Sequence, residues 1–220
     1  KKNGLEFFNT NGLPNKKLEN WKFTSSKNFK NFSKSSSSIN EIQKIKSDEL
    51  SIVFVNGTLD KDSLKSFKYS HLLEVKNLNE LNSKKLLHCS ENFFNETMFN
   101  LGISEFENGS YLSFKNNSVI KDVINIKNYF FENEENKRIS SFNIFHINEG
   151  SEISIIEEDI KENHSIFNLK LNKFICENSS IFKYGKSFND DSQTHSLSYN
   201  YYQIERDVAL SVDSMVKSSF

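Results

Sequence analysis

The chain has 220 residues, with 28 lysines and arginines against 29 aspartates and glutamates, for a formal net charge of −1. So even a balance lacks the basic excess that phosphate backbones demand, and nucleic acid is not expected as the main partner. The two cysteines make no disulfide framework, no apolar run nears the ~18 residues of a membrane span, and no secretory signal is visible, so the expectation is a cytoplasmic protein with no membrane partner.

The first stretch is residues 1–48. "LEFFNTNGLP" predicts the end of a short helix: Leu5 and Phe8 share a face, Gly12 suits the left-handed position, and Pro14 forbids continuation. "NKKLENWKF" restarts as a turn or short helix with Leu18 and Trp21 on one side. Pro14 and Trp21 are the chain's only proline and tryptophan, and they serve as a helix stop followed by an aromatic anchor. "SKSSSS" (Ser33 to Ser38) reads as a polar linker, and "INEIQKI" as a short helix through Ile39, Ile42 and Ile45.

The second stretch, 49–105, is an α+β lead-in. "LSIVFVNGTL" is a hairpin signal, a β-branched run followed by Asn56-Gly57. "HLLEVKNL" predicts a strand. "SENFFNETMFNLG" predicts a helix capped by Ser90, with Phe94, Met98 and Leu101 in its buried stripe and Gly102 at its end.

The third stretch, 106–220, carries a repeat. Polar turn centres at Asn117, Gly150, Asn178 and Asp207 are each flanked, three residues before and after, by apolar residues such as Phe114 and Ile120. A period near 30, all strand and turn, predicts stacked rungs of a β-solenoid rather than a sandwich of hairpins. The chain stops at "VDSMVKSSF" inside that pattern, and Lys1 rather than methionine stands first, so the sequence reads as cut at both ends.

Chemistry-bearing residues are sparse. Cys176 sits on a strand, where a thiolate could accept sulfur or bind iron, but a buried filler of an inner rung position fits better. Cys89 follows His88, and neighbours on a strand point to opposite faces, so the two would not chelate one ion. His146, His164 and His195 are spread over the rungs in no known ligand spacing. "EEDIKE" (Glu157 to Glu162) and "FENEENKR" (Phe131 to Arg138) read as solvated loops, and Asp190-Asp191 as a polar loop or half of a cation site. No phosphate loop, nucleophile elbow or zinc motif is present. Catalytic residues are therefore expected to be none, and cofactor and metal ligands stay unassigned.

"GLPNKKLENWKFTS" resembles the N-terminal signature of the SufD branch of the SufB/SufD family, subunits of the SUF iron–sulfur cluster assembly machinery. That signature has Gly-Leu-Pro, a basic pair, a Glu and Trp-Lys-Tyr-Thr, and Phe23 stands here in place of the Tyr. "SIVFVNGTLDKDSL", "FNLGISEFENGSYLSFKNNSVIKDVINI" and "FNIFHINEGSEISIIEE" are similar to later family segments, in the same order.

The resemblance implies a right-handed parallel β-helix preceded by a small N-terminal helical region. It implies a non-enzymatic scaffold that pairs with a SufB-like subunit and, through a region beyond Phe220, with a SufC-like ATPase. The Fe-S cluster would be transient in the assembled complex, with none bound by this chain alone. The family's proposed cluster-site residues match no position here. Exposed aromatics of 140–220, such as Tyr199 or Tyr201, are candidates for the subunit contact. The alternative is an extracellular β-helix protein that binds or cleaves polysaccharide. A lyase would need a carboxylate cluster beside a basic residue, and Arg138 and Arg206 are the only arginines.

Overall fold

The computed structural model describes residues 2–35, 48–81, 96–131, 134–161, 165–190 and 195–218. The expected helix through Ile39, Ile42 and Ile45, and the residues His88, Cys89, Ser90, Phe94, His164 and Asp191, lie outside the described residues, as does the side chain of Asp190.

Helix α1 (Lys2–Asn11) stops where the glycine and proline dictate. Gly12 has φ 67°, and its N–H closes the helix on the Phe8 carbonyl at 2.7 Å. The buried residue of α1 is Gly4 rather than Leu5, which is 47 % exposed. A Cβ on Gly4 would stand 2.7 Å from the carbonyl oxygen of Asn100, so close approach of two helices selects the face. Leu18 is likewise exposed, and Trp21 alone turns inward.

Strand β1 (Ser33–Lys34) precedes β2 (Ser51–Val55) and β3 (Thr58–Leu59). The last two form the expected hairpin through Asn56 (φ 47°) and Gly57 (φ 78°), both left-handed as a two-residue hairpin turn requires. Helix α2 (Lys61–Ser66) is capped by the Asp60 carboxylate, and β4 (Leu73–Asn77) fulfils the strand expectation. Helix α3 (Thr97–Glu105) runs past Gly102, which does not end it. Gly102 instead sits over β-strand leucines, where an added Cβ would come within 3.1 Å of Leu171 and 3.2 Å of Leu169.

The repeat then begins with β5 (Gly109–Phe114), β6 (Val119–Phe130), β7 (Lys137–Ile147), β8 (Glu152–Lys161), β9 (Ile166–Cys176), β10 (Ile181–Asp190), β11 (His195–Ile204) and β12 (Ala209–Ser218). From β5 onward odd and even strands separate into two sheets, β11-β9-β7-β5-β4 with β1 alongside β7, and β12-β10-β8-β6-β2-β3. Pairing along the repeat is parallel throughout, which excludes the hairpin sandwich and makes the body a parallel β-helix. At its start β2 adds in parallel to β6 and β4 adds antiparallel to β5, so the lead-in stretch continues the sheets of the repeat.

The corners stack as the period predicts. Asn117, Gly150, Ser179 and Asp207 all have positive φ. The N–H of Asn117 bonds the Glu149 carbonyl, that of Gly150 the Asn178 carbonyl, and that of Ser179 the Arg206 carbonyl, at 2.9–3.1 Å. The left-handed residue of the third corner is Ser179, one place after the expected Asn178, whose side-chain oxygen instead accepts from the Arg206 N–H at 3.2 Å.

The two sheets meet across an interior whose corner side is apolar. Phe114, Ile147 and Cys176 line up on one wall, as do Leu112, Phe145, Phe174 and Tyr202, facing Ile124, Ile155 and Tyr184 on the other. The outer face of the odd-strand sheet is also covered. Trp21, Phe32, Met98 and Leu101 pack on Phe167 and Leu169, so β9 is buried along its whole length.

Candidate functional site

Toward the strand ends away from the corners, the interior changes from apolar to ionic. Alternation along β8 turns Glu157 and Asp159 inward, and alternation along β9 does the same for Asn168, Lys170 and Asn172. The charge run "EEDIKE" is thus largely strand rather than solvated loop. Glu157 and Asp159 are 2 % and 3 % exposed because an inward ammonium awaits them.

Lys170 sits between both carboxylates, 2.5 Å from Glu157 Oε1 and in contact with Asp159 Oδ1. Asn128 donates to Glu157 Oε1 at 2.7 Å and to Asp159 Oδ1 at 3.1 Å. Asn168 donates to Asp159 Oδ2, Asn172 to Glu157 Oε2, and the Tyr184 hydroxyl to Glu157 Oε2. Lys186, 3 % exposed, donates to the Ser198 hydroxyl at 2.5 Å. An amide file continues through the rungs: Asn143, Asn172 and Asn200 fall in one register column, and Asn172 donates to Asn200 Oδ1 at 3.2 Å.

Electrostatics follow from this packing. Burial alone would raise the Glu157 carboxyl. The charges of Lys170 and Lys186, with hydrogen bonds from Lys170 and Tyr184, outweigh it and hold the group down to about 2. Burial opposes the Lys170 ammonium, yet Asp159 and Glu157 raise its pKa. At Lys186 burial prevails, reinforced by the Lys170 charge, and the amine falls to about 8. Burial also raises the Tyr184 phenol, with the Glu157 charge adding to it. The side-chain oxygens of Asn168 and Asn172 and the Tyr202 hydroxyl are buried here without a hydrogen-bond partner among the described residues.

A second polar chain lies on the outer face of the odd-strand sheet. The Tyr111 hydroxyl bonds His146 Nδ1 at 2.5 Å, and His146 Nε2 bonds the Glu177 carboxylate at 2.7 Å. The carboxylate only accepts, so Nε2 carries a proton toward it, and in the neutral ring Nδ1 accepts from the tyrosine. The chain ties β5, β7 and the corner after β9 together.

The remaining sequence candidates do not converge. His195 falls in the register column of Phe167 and Arg138, well along the strand from His146, and packs edge-on against Phe32 at 5.6 Å. Cys176 is fully buried in the apolar cluster, and burial pushes its thiol up to about 12, so it is held as a thiol rather than a thiolate ligand. Arg138 belongs to β7 rather than a loop, and its fork grips Glu105 at 2.5 and 2.6 Å while donating to the Phe32 carbonyl. Tyr199 is half-buried rather than exposed: it packs edge-on to Phe99 at 5.7 Å, and burial raises its phenol. Tyr201 is half-buried with the Lys173 ammonium 5.4 Å above its ring.

Among the described residues no group of three or more His, Cys, Asp or Glu side chains is placed to hold a metal ion. No helix among them is long and apolar enough to cross a membrane. Within the interior, two carboxylates and two amines from β8, β9 and β10 neutralise one another.

No protein-family model matches this sequence, and no curated protein matches it.

Proposed function

We propose that the protein is a non-catalytic scaffold of the SUF type, pairing with a SufB-like subunit and a SufC-like ATPase to support the building of nascent iron–sulfur clusters. The observation that carries this reading is the docking of the Gly-Leu-Pro…Trp-Lys segment onto a parallel β-helix. Trp21 is 5 % exposed, its Nε1–H reaches Glu96 Oε2 at 3.4 Å, and it joins Phe32, Met98 and Leu101 on Phe167 and Leu169 of β9. The signature segment is therefore built into the body, as a segment that fixes the shape of a scaffold would be. The cluster is cargo of the assembled complex in this reading, and no residue of this chain is assigned to it.

The test is co-expression of the whole reading frame that contains this chain with the SufB-like and SufC-like proteins of the same genome, followed by co-purification through a tag on its product. A stoichiometric complex is the expected result. Failure to co-purify, with each protein folded, overturns the reading and directs the next assay to polysaccharide binding.

A further inference from the structure

Phe23 is 92 % exposed, two residues from the buried Trp21. It is not on a loose tail. The Trp21 carbonyl accepts from the Thr24 N–H at 3.1 Å, and the Ser26 hydroxyl donates to the Pro14 carbonyl at 2.5 Å. Short helical turns at Glu19–Trp21 and Ser26–Asn31 flank it on either side. The fold thus holds an aromatic ring out in water, with the Lys22 ammonium above it, 5.5 Å from the centroid. Nothing in the core uses this ring.

The segment that carries it is basic. Residues 13–32 contain Lys16, Lys17, Lys22, Lys27 and Lys30 against Glu19 and the Glu96 carboxylate that accepts from Asn20 and Trp21, in a chain whose net charge is −1. All five lysines are exposed, and none forms an ion pair among the described residues. Leu18, 46 % exposed, adds apolar surface beside the turn.

We propose that Phe23 and these lysines form a docking surface for an acidic protein, with the Phe23 ring entering an apolar pocket ringed by carboxylates. An aromatic anchor within a charged rim is the arrangement that concentrates binding energy at protein interfaces while the rim sets the encounter rate. One feature favours a protein over other polyanions. The rest of the chain is net acidic, so an extended anionic surface such as a bilayer or nucleic acid repels most of the molecule, while a local acidic patch does not. The proposal stands apart from the SUF reading and does not depend on it.

The experiment places the photo-crosslinking residue p-benzoylphenylalanine at Phe23 in the full chain, expressed in its native cell. Mass spectrometry then identifies the adduct, and the captured protein is purified as the probe for binding measurements. The expected adduct is a protein segment rich in Asp and Glu, lost with Lys17→Glu plus Lys22→Glu. Binding of that purified protein should weaken about tenfold or more for Phe23→Ala and on raising salt several-fold. Phe23→Ala should leave the melting temperature unchanged, which separates docking from folding. Adducts to lipid or nucleic acid, adducts indifferent to the charge reversal, or no adduct at all would overturn the proposal.

Discussion

Lys170 and Lys186 share one interior yet are driven apart in proton affinity. Burial works against both, but Asp159 and Glu157 raise Lys170, whereas the neighbouring Lys170 charge helps lower Lys186 to about 8. Two amines of one ionic cluster thus hold opposite standings in the energetics of the fold.

Replacement by methionine should separate them. Lys170→Met strands two buried carboxylates, and breaking such a network costs about 3–5 kcal/mol. Lys186→Met removes an ammonium that the site already disfavours and should leave stability within about 1 kcal/mol of the parent or raise it. Urea denaturation at neutral pH reads both, and equal losses would contradict this account.

The same cluster sets two pH windows. The Glu157 carboxyl is depressed from 4.5 to about 2, so its stabilisation is present above 4.5 and is lost as pH falls toward 2, in total roughly 3 kcal/mol. Lys186 is depressed from 10.5 to about 8, so the unfolded chain binds the extra proton between those values and stability should rise with pH across that window. Glu157→Gln should flatten the acid limb, and Lys186→Met should remove the alkaline rise, both seen in denaturation midpoints against pH.

Much of this architecture was legible beforehand. The corners at Asn117, Gly150 and Asp207 stand where the spacing put them, because a left-handed residue at a tight corner selects Asn, Asp or Gly. The third was misplaced by one because Asn178 is the better left-handed residue by type. Its side chain is spent on the Arg206 N–H, and Ser179 takes the strained position. The ionic interior was not legible as a site. "EEDIKE" has a composition that means solvent almost everywhere, and what turns it inward is Lys170, on the following strand of the other sheet. A weak signal was present, since Asn168, Lys170 and Asn172 repeat at period two within a strand that is otherwise apolar except for Lys173.

Trp21 should report docking of the N-terminal segment. Being the only tryptophan, it should emit at short wavelength in the native state and shift to the red when the segment leaves β9. Trp21→Ala should cost about 3–5 kcal/mol, as for other buried large-to-small changes, measured by thermal or urea unfolding. A long-wavelength native emission would contradict the burial.

Two left-handed glycines should respond unequally to alanine. At Gly12 a new Cβ meets nothing within 4 Å, so only the backbone penalty of about 1–2 kcal/mol applies. At Gly57 it would stand 2.6 Å from Ser141 Cβ, and relieving that contact adds to the same penalty. The melting temperature of Gly57→Ala should fall further than that of Gly12→Ala, and the reverse order would refute the packing of the hairpin on β7.

In a Cys89→Ser background, Cys176 should resist iodoacetamide in the native protein and react on unfolding, because it is buried and held as a thiol. Rapid native alkylation, followed by mass spectrometry, would place it elsewhere.

The burial of β9 on both faces gives the molecule an order of disassembly. Solvent reaches the outer side of the even-strand sheet, where Val123 and Ile156 stand exposed, while β9 is roofed by the Trp21 layer and floored by the ionic cluster. Amide protons of β9 should therefore exchange only through the largest openings, and those of β8, whose outer face meets solvent at Ile156, through smaller ones. A repeat built of similar rungs thus acquires a centre and a periphery, set by what is laid over it rather than by the repeat itself.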